Sequence, residues 1–500
     1  MSSIKMRRFI GLGIALVVMG HFLLIGHWVV SYPSWGDDWG FILLFDTQLS
    51  DVFSSLSSYL VPFHGGIHAN IWAKANVIFS SVFVSNFNYT AMIWVANLWL
   101  LPILYCLARY VRLKGHQTWH VLGMTLLLFS LKGQVDNFAF IGVFQHGATV
   151  AMVVLISYLM TIQKRYLAGV LLANASLLLI STESLGILLF ANVLVGLIKH
   201  QYRYYVWILS VLSVILYYKG IQISSDMLGI QGGNIHVNAG IFPAVFIFLG
   251  GIISRVWVAF ALGILCFSVV MYPMFRSIQS VGREGNERIL FLPMIFLSMA
   301  SIGLLIQLGR GVDASGQVSY GVLLAPRFSL YHVIPLVLLY IGLLEIRPIL
   351  ASRVQGFMVV GALGFYGLNM WTQLPLLQVD QRRILTDAYV MKTQQTCLSY
   401  PMDPLYAKRI VGKPWYTWPD FSEITSLDKQ TPVYYTRKEE GEITQLRCLT
   451  RMDSPYFALL AGDKKYVVSG HSIPGNAFQI DLNRGQLAQL GAFRVVQLSR

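Results

Sequence analysis

Apolar stretches long enough to cross a bilayer recur along this 500-residue chain from residue 9 to residue 371. Inside lipid, each must satisfy its backbone N–H and C=O groups within its own segment, which only a helix does. With 55% of residues hydrophobic and 12% charged, the expected fold class is an all-α polytopic membrane protein. Spans near 9–31, 88–108, 118–131, 143–162, 166–181, 184–198, 204–218, 256–275, 289–308, 328–345 and 354–371 give about 11 transmembrane helices. The first is preceded by Lys5, Arg7 and Arg8 and followed by Tyr32-Pro33-Ser34-Trp35. No small-residue cleavage site follows it, so a retained anchor is expected and not a signal peptide.

Charge sets the expected orientation. With the N-terminus in the cytoplasm, cytoplasmic segments hold 15 of the 37 Lys and Arg, among them Arg109, Arg112, Lys114, Lys164 and Arg165. Only six fall in the opposite loops: Lys74, Lys132, Lys219, Arg255, Arg310 and Arg327. This is the positive-inside pattern. Acids segregate the other way: Glu284, Glu287 and Glu345 lie inside, whereas Asp37, Asp38, Asp46, Asp51, Asp136, Glu183, Asp226 and Asp313 lie outside. The formal net charge of +14 therefore reflects membrane topology, and no nucleic-acid partner is implied.

Between the spans, three outer-side inserts stand out. Residues 32–87 contain Pro33, Pro62, Gly65, Gly66 and two moderately apolar, Ser-rich stretches suited to helices lying in the membrane interface. Residues 219–254 run from polar to apolar, and Gly309 to Pro326 form a third insert. After residue 371 no spanning run remains. Two domains are expected: a transmembrane domain, 1–371, and a soluble extracytoplasmic domain, 372–500, of mixed α/β or mostly β character, with Val433-Tyr434-Tyr435 and Tyr466-Val467-Val468 as extended segments. Cys106 and Cys266 sit in spans as packing residues. Cys397 and Cys448 lie in the tail, where a disulfide and two free thiols both stay open.

The chemistry-bearing residues concentrate on the outer side. Asp37 and Asp38, directly behind the first span, are an acid pair at a membrane surface, where one carboxylate can serve as general base while the other binds a metal or a neighbouring loop. A helix N-cap before Trp39 to Phe45 is the plainer role for Asp38. His64 and His68 are spaced four apart, as for two imidazoles on one helical face, although Gly65-Gly66 weakens any helix there. They suit a polar wall that binds phosphate or sugar hydroxyls; a divalent metal stays open. Further polar interruptions carry Lys132 and Asp136 (Lys132-Gly133-Gln134-Val135-Asp136-Asn137), Glu183 (Ser181-Thr182-Glu183-Ser184), and Arg310 and Arg327 around the third insert. Guanidinium forks suit phosphate or pyrophosphate, and carboxylates suit sugar hydroxyls.

Residues 10–371 resemble the GT-C integral membrane glycosyltransferases, in particular bacterial members tied to surface-polysaccharide modification. The matching residues are Gly36-Asp37-Asp38-Trp39, His64 to Asn70, Phe129-Ser130 with Gln134, Asp136-Asn137 and Phe144-Gln145, then Leu179 to Ser184, Gly309-Arg310 and Ala325-Pro326-Arg327-Phe328-Ser329. The chain departs from the pattern at Asp136, where Glu is commoner, and in the His segment, which lacks the usual Arg.

The resemblance implies an inverting sugar transfer from a polyprenyl-phosphate-linked donor to a cell-surface glycan or lipid-linked acceptor, on the extracytoplasmic face of a bacterial inner membrane. It implies Asp37 or Asp38 as base and Arg310 or Arg327 on the departing phosphate; no cofactor is assigned, and a divalent metal stays open. A polysaccharide polymerase or ligase and a lipid or solute transporter are the alternatives. The chain shows no inverted repeat of the kind many transporters carry.

Overall fold

In the computed structural model the described residues are 3–30, 32, 87–133, 143–180, 182–198, 202–228, 240–276, 287–310, 318–325, 328–346, 351–399, 410–413, 416–450, 454–474 and 477–499. The interfacial helices expected within residues 32–87 therefore lie outside the described residues.

The N-terminal part is a helical bundle. Helix α1 (Ser3–Trp28) is followed by α2 (Tyr89–Asn97), α3 (Leu100–Leu113), α4 (Trp119–Leu128), α5 (Val143–Thr161), α6 (Tyr166–Leu179), α7 (Leu185–Ile198) and α8 (Arg203–Leu228). Then come α9 (Ile241–Leu249), α10 (Val256–Arg276), α11 (Phe291–Arg310), α12 (Ser329–Ile346) and α13 (Ala351–Gln394). Each expected span falls on a single helix except 88–108, which is divided between α2 and α3. Among the described residues, five segments are long and apolar enough to cross a membrane, at 5–28, 89–113, 256–276, 287–308 and 329–346, with shorter apolar helices at 119–128, 145–161, 166–179 and 185–197. Large apolar side chains remain exposed on the bundle's outside, including Phe9, Leu16 and Leu23 of α1, Ile208 and Leu216 of α8, and Phe357, Val360 and Leu368 of α13. A soluble domain does not leave so much contiguous apolar surface uncovered; lipid covers it. The chain is a multi-pass membrane protein.

Inside the bundle, glycine sets how closely helices approach. A Cβ on Gly263 of α10 would lie 1.9 Å from the Phe246 carbonyl oxygen of α9, and one on Gly186 of α7 would lie 1.7 Å from Ser301 Oγ of α11. The second contact seats the start of α7 directly on α11.

Buried polar pairs bring the ends of α3 and α12 together and the start of α6 to the start of α11. At one end of the bundle the Tyr110 hydroxyl donates to Glu345, with Lys114 Nζ 3.6 Å from the same carboxylate. Beside them Tyr166 donates to Glu287 over 3.1 Å, and Lys164 Nζ stands 3.5 Å away. Lys164 holds a left-handed φ of 57° in the α5–α6 turn, a conformation that costs roughly 1–2 kcal/mol outside glycine and that its ion pair helps to offset. The opposite end carries the breaks at 131–133 and 182–184.

Helix α13 reorganises the expected boundary region. Its 44 residues extend about 66 Å at about 1.5 Å per residue, twice the ~30 Å of a bilayer core. Exposed large apolar side chains on it end at Leu376, while the helix continues unbroken through residue 372 to Gln394 as a rod carrying the C-terminal module.

That module is mostly β. Strands β1 (Lys429–Pro432), β2 (Tyr434–Glu440), β3 (Ile443–Leu449), β4 (Tyr456–Ala461), β5 (Lys464–Ser469), β6 (His471–Ile473), β7 (Ala477–Asn483) and β8 (Arg494–Ser499) form two four-stranded antiparallel sheets, ordered β1-β8-β4-β5 and β2-β3-β7-β6. Alternate side chains of a strand face opposite ways, and the first sheet is covered on both faces. Phe457, Leu459, Tyr466, Val468 and Val495 pack on Leu446, Cys448, Ile480 and Leu482 of the second sheet. Their neighbours Tyr456, Ala458, Val467, Val496 and Leu498 pack instead on Ile384, Ala388 and Met391 of α13 and on Ile25, Tyr32 and Phe87. Cys397 and Cys448 form no disulfide and belong to different cores.

At the far end of α13, Asp387 is buried and accepts from Ser399 Oγ. Burial holds its carboxyl above the ordinary value of 3.8, against the smaller opposing pull of Arg383 and Ser399. The folded protein thus keeps the proton to higher pH than the unfolded chain, so this residue's contribution to stability falls as pH rises from about 4 through the raised value. Asp387→Asn should remove that part of the slope. Melting curves of both proteins between pH 4 and 8 test it, and identical pH slopes would refute the assignment.

Candidate functional site

Three breaks in the helical pattern meet at the end of the bundle that the sequence assigns to the outside. They are the tight turns Leu131–Gly133, Thr182–Ser184 and Gly321–Leu324. The first packs on α12 and α13, the second among α5, α6, α7 and α11, and the third on α9 and α11. Polar residues at a break are tolerated at membrane depth only where protein or a water-filled cavity encloses them.

Glu183 is the centre of the cluster. It is buried, and the Tyr331 hydroxyl of α12 donates to its Oε2. A hydroxyl has one proton, so the Tyr331 oxygen accepts in turn from His146 Nδ1–H of α5, 2.8 Å away. His146 Nδ1 is 3.6 Å from Glu183 Oε2. Carboxylate, phenol and imidazole thus close a three-membered network drawn from three separate helix starts, with a proton on His146 Nδ1. Phe328 lies parallel to Tyr331 at 6.3 Å and edge-on to His146 at 5.8 Å, a packing that leaves the phenol little freedom.

One residue along α12, His332 donates from Nε2 to the Leu323 carbonyl over 2.9 Å, which ties the Gly321–Leu324 turn to the helix. Its ring packs on Phe248 of α9 at 5.1 Å. Lys132 lies within electrostatic reach of His332, and partial burial lowers its ammonium below the ordinary range. Gln145, Ser130 and Ser184 are buried nearby in sequence to these groups. The set offers a carboxylate, two imidazoles, a phenol and a cation at one end of an apolar bundle. Those groups can bind hydroxyls, orient a polar ligand and hold negative charge.

Two expected site residues, Lys132 and Glu183, are thus brought to adjacent residues of α12. Asp37, Asp38, His64, His68, Asp136 and Arg327 lie outside the described residues. Arg310 is the last residue of α11, and its side chain lies outside them too. Glu183 is a buried carboxylate with Tyr331 and His146 as neighbours. His146, Tyr331 and His332 were not singled out from the sequence. The available signal was an ionisable or hydrogen-bonding side chain inside an otherwise apolar span, which marks a site in membrane proteins. Among the described residues no group of three His, Cys, Asp or Glu side chains is arranged to hold a metal ion.

No protein-family model and no curated protein matches the chain. Among solved structures, it is similar to ArnT from Cupriavidus metallidurans in the apo state, with 11% identity over 97% of this chain and 99% of that one, at a TM-score of 0.49.

Removing the Tyr331 hydroxyl should take a hydrogen-bond donor from a buried carboxylate. Tyr331→Phe is expected to cost about 1.5–3 kcal/mol, the range for a hydrogen bond to a charged group, whereas Tyr331→Phe combined with Glu183→Gln should recover part of that loss through coupling. Unfolding of the purified protein and its three variants measures the cycle. Strict additivity would dissolve the network.

Proposed function

We propose that the chain is a membrane glycosyltransferase of the GT-C type that moves a sugar from a polyprenyl-phosphate donor to a surface glycan or lipid-linked acceptor, with inversion, on the extracytoplasmic face. The observation that carries this reading is the buried Glu183–Tyr331–His146 network with Lys132 beside it. It stands at the bundle end that the charge distribution assigns outside, where the sequence also places Asp37-Asp38, Arg310 and Arg327. The reading includes about eleven crossings, a cytoplasmic N-terminus, a bacterial inner-membrane location and a tail domain from residue 372.

In this mechanism Asp37 or Asp38 takes the proton of the acceptor hydroxyl. The freed oxygen pair forms the new bond to the anomeric carbon from the face opposite the phosphate. The carbon–oxygen bond to phosphate breaks, and its electron pair departs with the polyprenyl phosphate. That leaving group is already an anion and needs no acid; cations placed at the developing charge lower the barrier. Arg310, Arg327 and Lys132 are the residues assigned to it. Glu183, held by Tyr331, binds sugar hydroxyls as an acceptor, and His64, His68 and Asp136 are assigned to substrate binding.

A proton-coupled transporter is the second reading, favoured by the same buried carboxylate–imidazole pair. Turnover separates the two. With a polyprenyl-phosphate sugar and cell-envelope glycan, the reconstituted protein should form a glycoside and release polyprenyl phosphate. Asp37→Asn or Asp38→Asn should abolish that product without changing the amount of folded protein. Full product formation by both single variants would remove the acid pair from the mechanism; solute uptake with no glycoside formed would favour the transporter.

A further inference from the structure

A second polar cavity, separate from the Glu183 network, lies where the bundle meets the sheet module. It has a volume of about 350 Å³ and is lined by Val29, Val30, Thr90, Gln381, Arg382, Leu385, Pro419, Asp420, Ser422 and Glu423. That size is within the range of small-ligand clefts, roughly 300–1,000 Å³.

Its walls are built to stay in place. Tyr32 stacks on Trp418 at 6.4 Å, and Phe87 stacks on Tyr416 at 5.8 Å while pairing with it through a backbone bridge. Tyr416 and Trp418 meet edge-on at 4.8 Å. Lys392 of α13 lies over Phe421 at 5.3 Å and Trp418 at 6.0 Å. Both stems of the acid-bearing first loop, at residues 32 and 87, are therefore fixed to the same short stretch of the C-terminal module that forms one cavity wall.

The cavity chemistry selects a ligand class. Arg382 makes no hydrogen bond or ion pair with another described residue, so its fork of donors is open. Gln381 spends one amide N–H on the His27 carbonyl at 3.0 Å and keeps its oxygen. Asp420 accepts from Ser422 N at 2.9 Å and Ser422 Oγ at 2.8 Å, two of the roughly four acceptor positions a carboxylate has. Two carboxylates against one guanidinium leave the lining with a negative balance, which repels phosphate. Donor and acceptor groups in one lining with Val29, Val30, Leu385 and Pro419 fit a neutral ligand that carries hydroxyls on an apolar ring.

We propose that this cavity binds neutral saccharide, with Arg382, Asp420 and Glu423 as the recognising groups and Gln381 and Thr90 beside them. In the glycosyltransferase reading, on which its role rests, it is the acceptor subsite. The C-terminal module then serves as the part of the enzyme that holds the acceptor and anchors both stems of the loop bearing Asp37 and Asp38.

The test is direct binding, with no donor present. Full-length protein in lipid nanodiscs is titrated with a panel of neutral di- to tetrasaccharides of glucose, galactose, mannose and N-acetylglucosamine, and separately with inorganic phosphate. At least one saccharide should bind, inorganic phosphate should not displace it, and Arg382→Ala and Glu423→Gln should each weaken binding about tenfold or more, as expected for a lost charge-assisted contact. Asp420→Asn keeps the acceptor that caps Ser422 and serves as the variant least able to disturb folding; it should weaken binding too. Binding of no panel member, equal binding by all three variants, or displacement by phosphate would overturn the proposal. Saccharide binding without glycoside formation would overturn the transferase reading and leave the site standing, whereas transfer with an unchanged acceptor KM in the Arg382 variant would overturn the site alone.

Discussion

A carboxylate among membrane helices has to be compensated, and the position of Glu183 organises everything around it. Burial of an unpaired charge costs several kcal/mol even after relaxation, so the start of α7 must meet a donor. Tyr331 provides it and is itself held by His146 and Phe328. The close approach of α7 to α11 at Gly186 places the Thr182–Ser184 turn deep enough for that contact. The tie from His332 to Leu323 carries the same register into the third insert. Three distant segments of sequence converge because one acid must not be left alone.

The opposite end of the bundle shows what a purely structural solution looks like. Glu287 and Glu345 are each met by a tyrosine and also by a lysine within 4.0 Å, so each charge is matched by a cation from a distant segment of the sequence. At Glu183 a phenol of α12 and an imidazole of α5 meet the carboxylate, at the end of the bundle where the helical pattern breaks.

Much of the architecture was legible in the sequence, because lipid imposes a length and a composition that show locally. The apolar runs at 9–31 and 328–345 become α1 and α12, and Tyr466-Val467-Val468 becomes part of β5. The 44-residue α13 was not legible: its composition turns polar after Trp371, but a polar sequence with good helix formers continues a helix that packs on β5. Lys132 and Glu183 were legible as charges where charges are scarce. Their convergence on Tyr331 and His332 was not, since tyrosine and histidine in an apolar run are read as packing residues until a partner 148 positions away in sequence is seen. The aromatic ties from Tyr416 and Trp418 to Phe87 and Tyr32 are non-local in the same way.

The central claim is that the end of the bundle holding Glu183, Tyr331 and Lys132 receives a lipid-linked sugar phosphate. The direct test is a cryo-electron-microscopy structure of the protein in a lipid nanodisc with a non-hydrolysable polyprenyl-phosphate sugar. The account predicts the sugar beside Glu183 and Tyr331, with the phosphate facing Lys132 and the turn at 321–324. A ligand bound at the Glu287 and Glu345 end, or a bundle that binds none at saturating concentration, would contradict it.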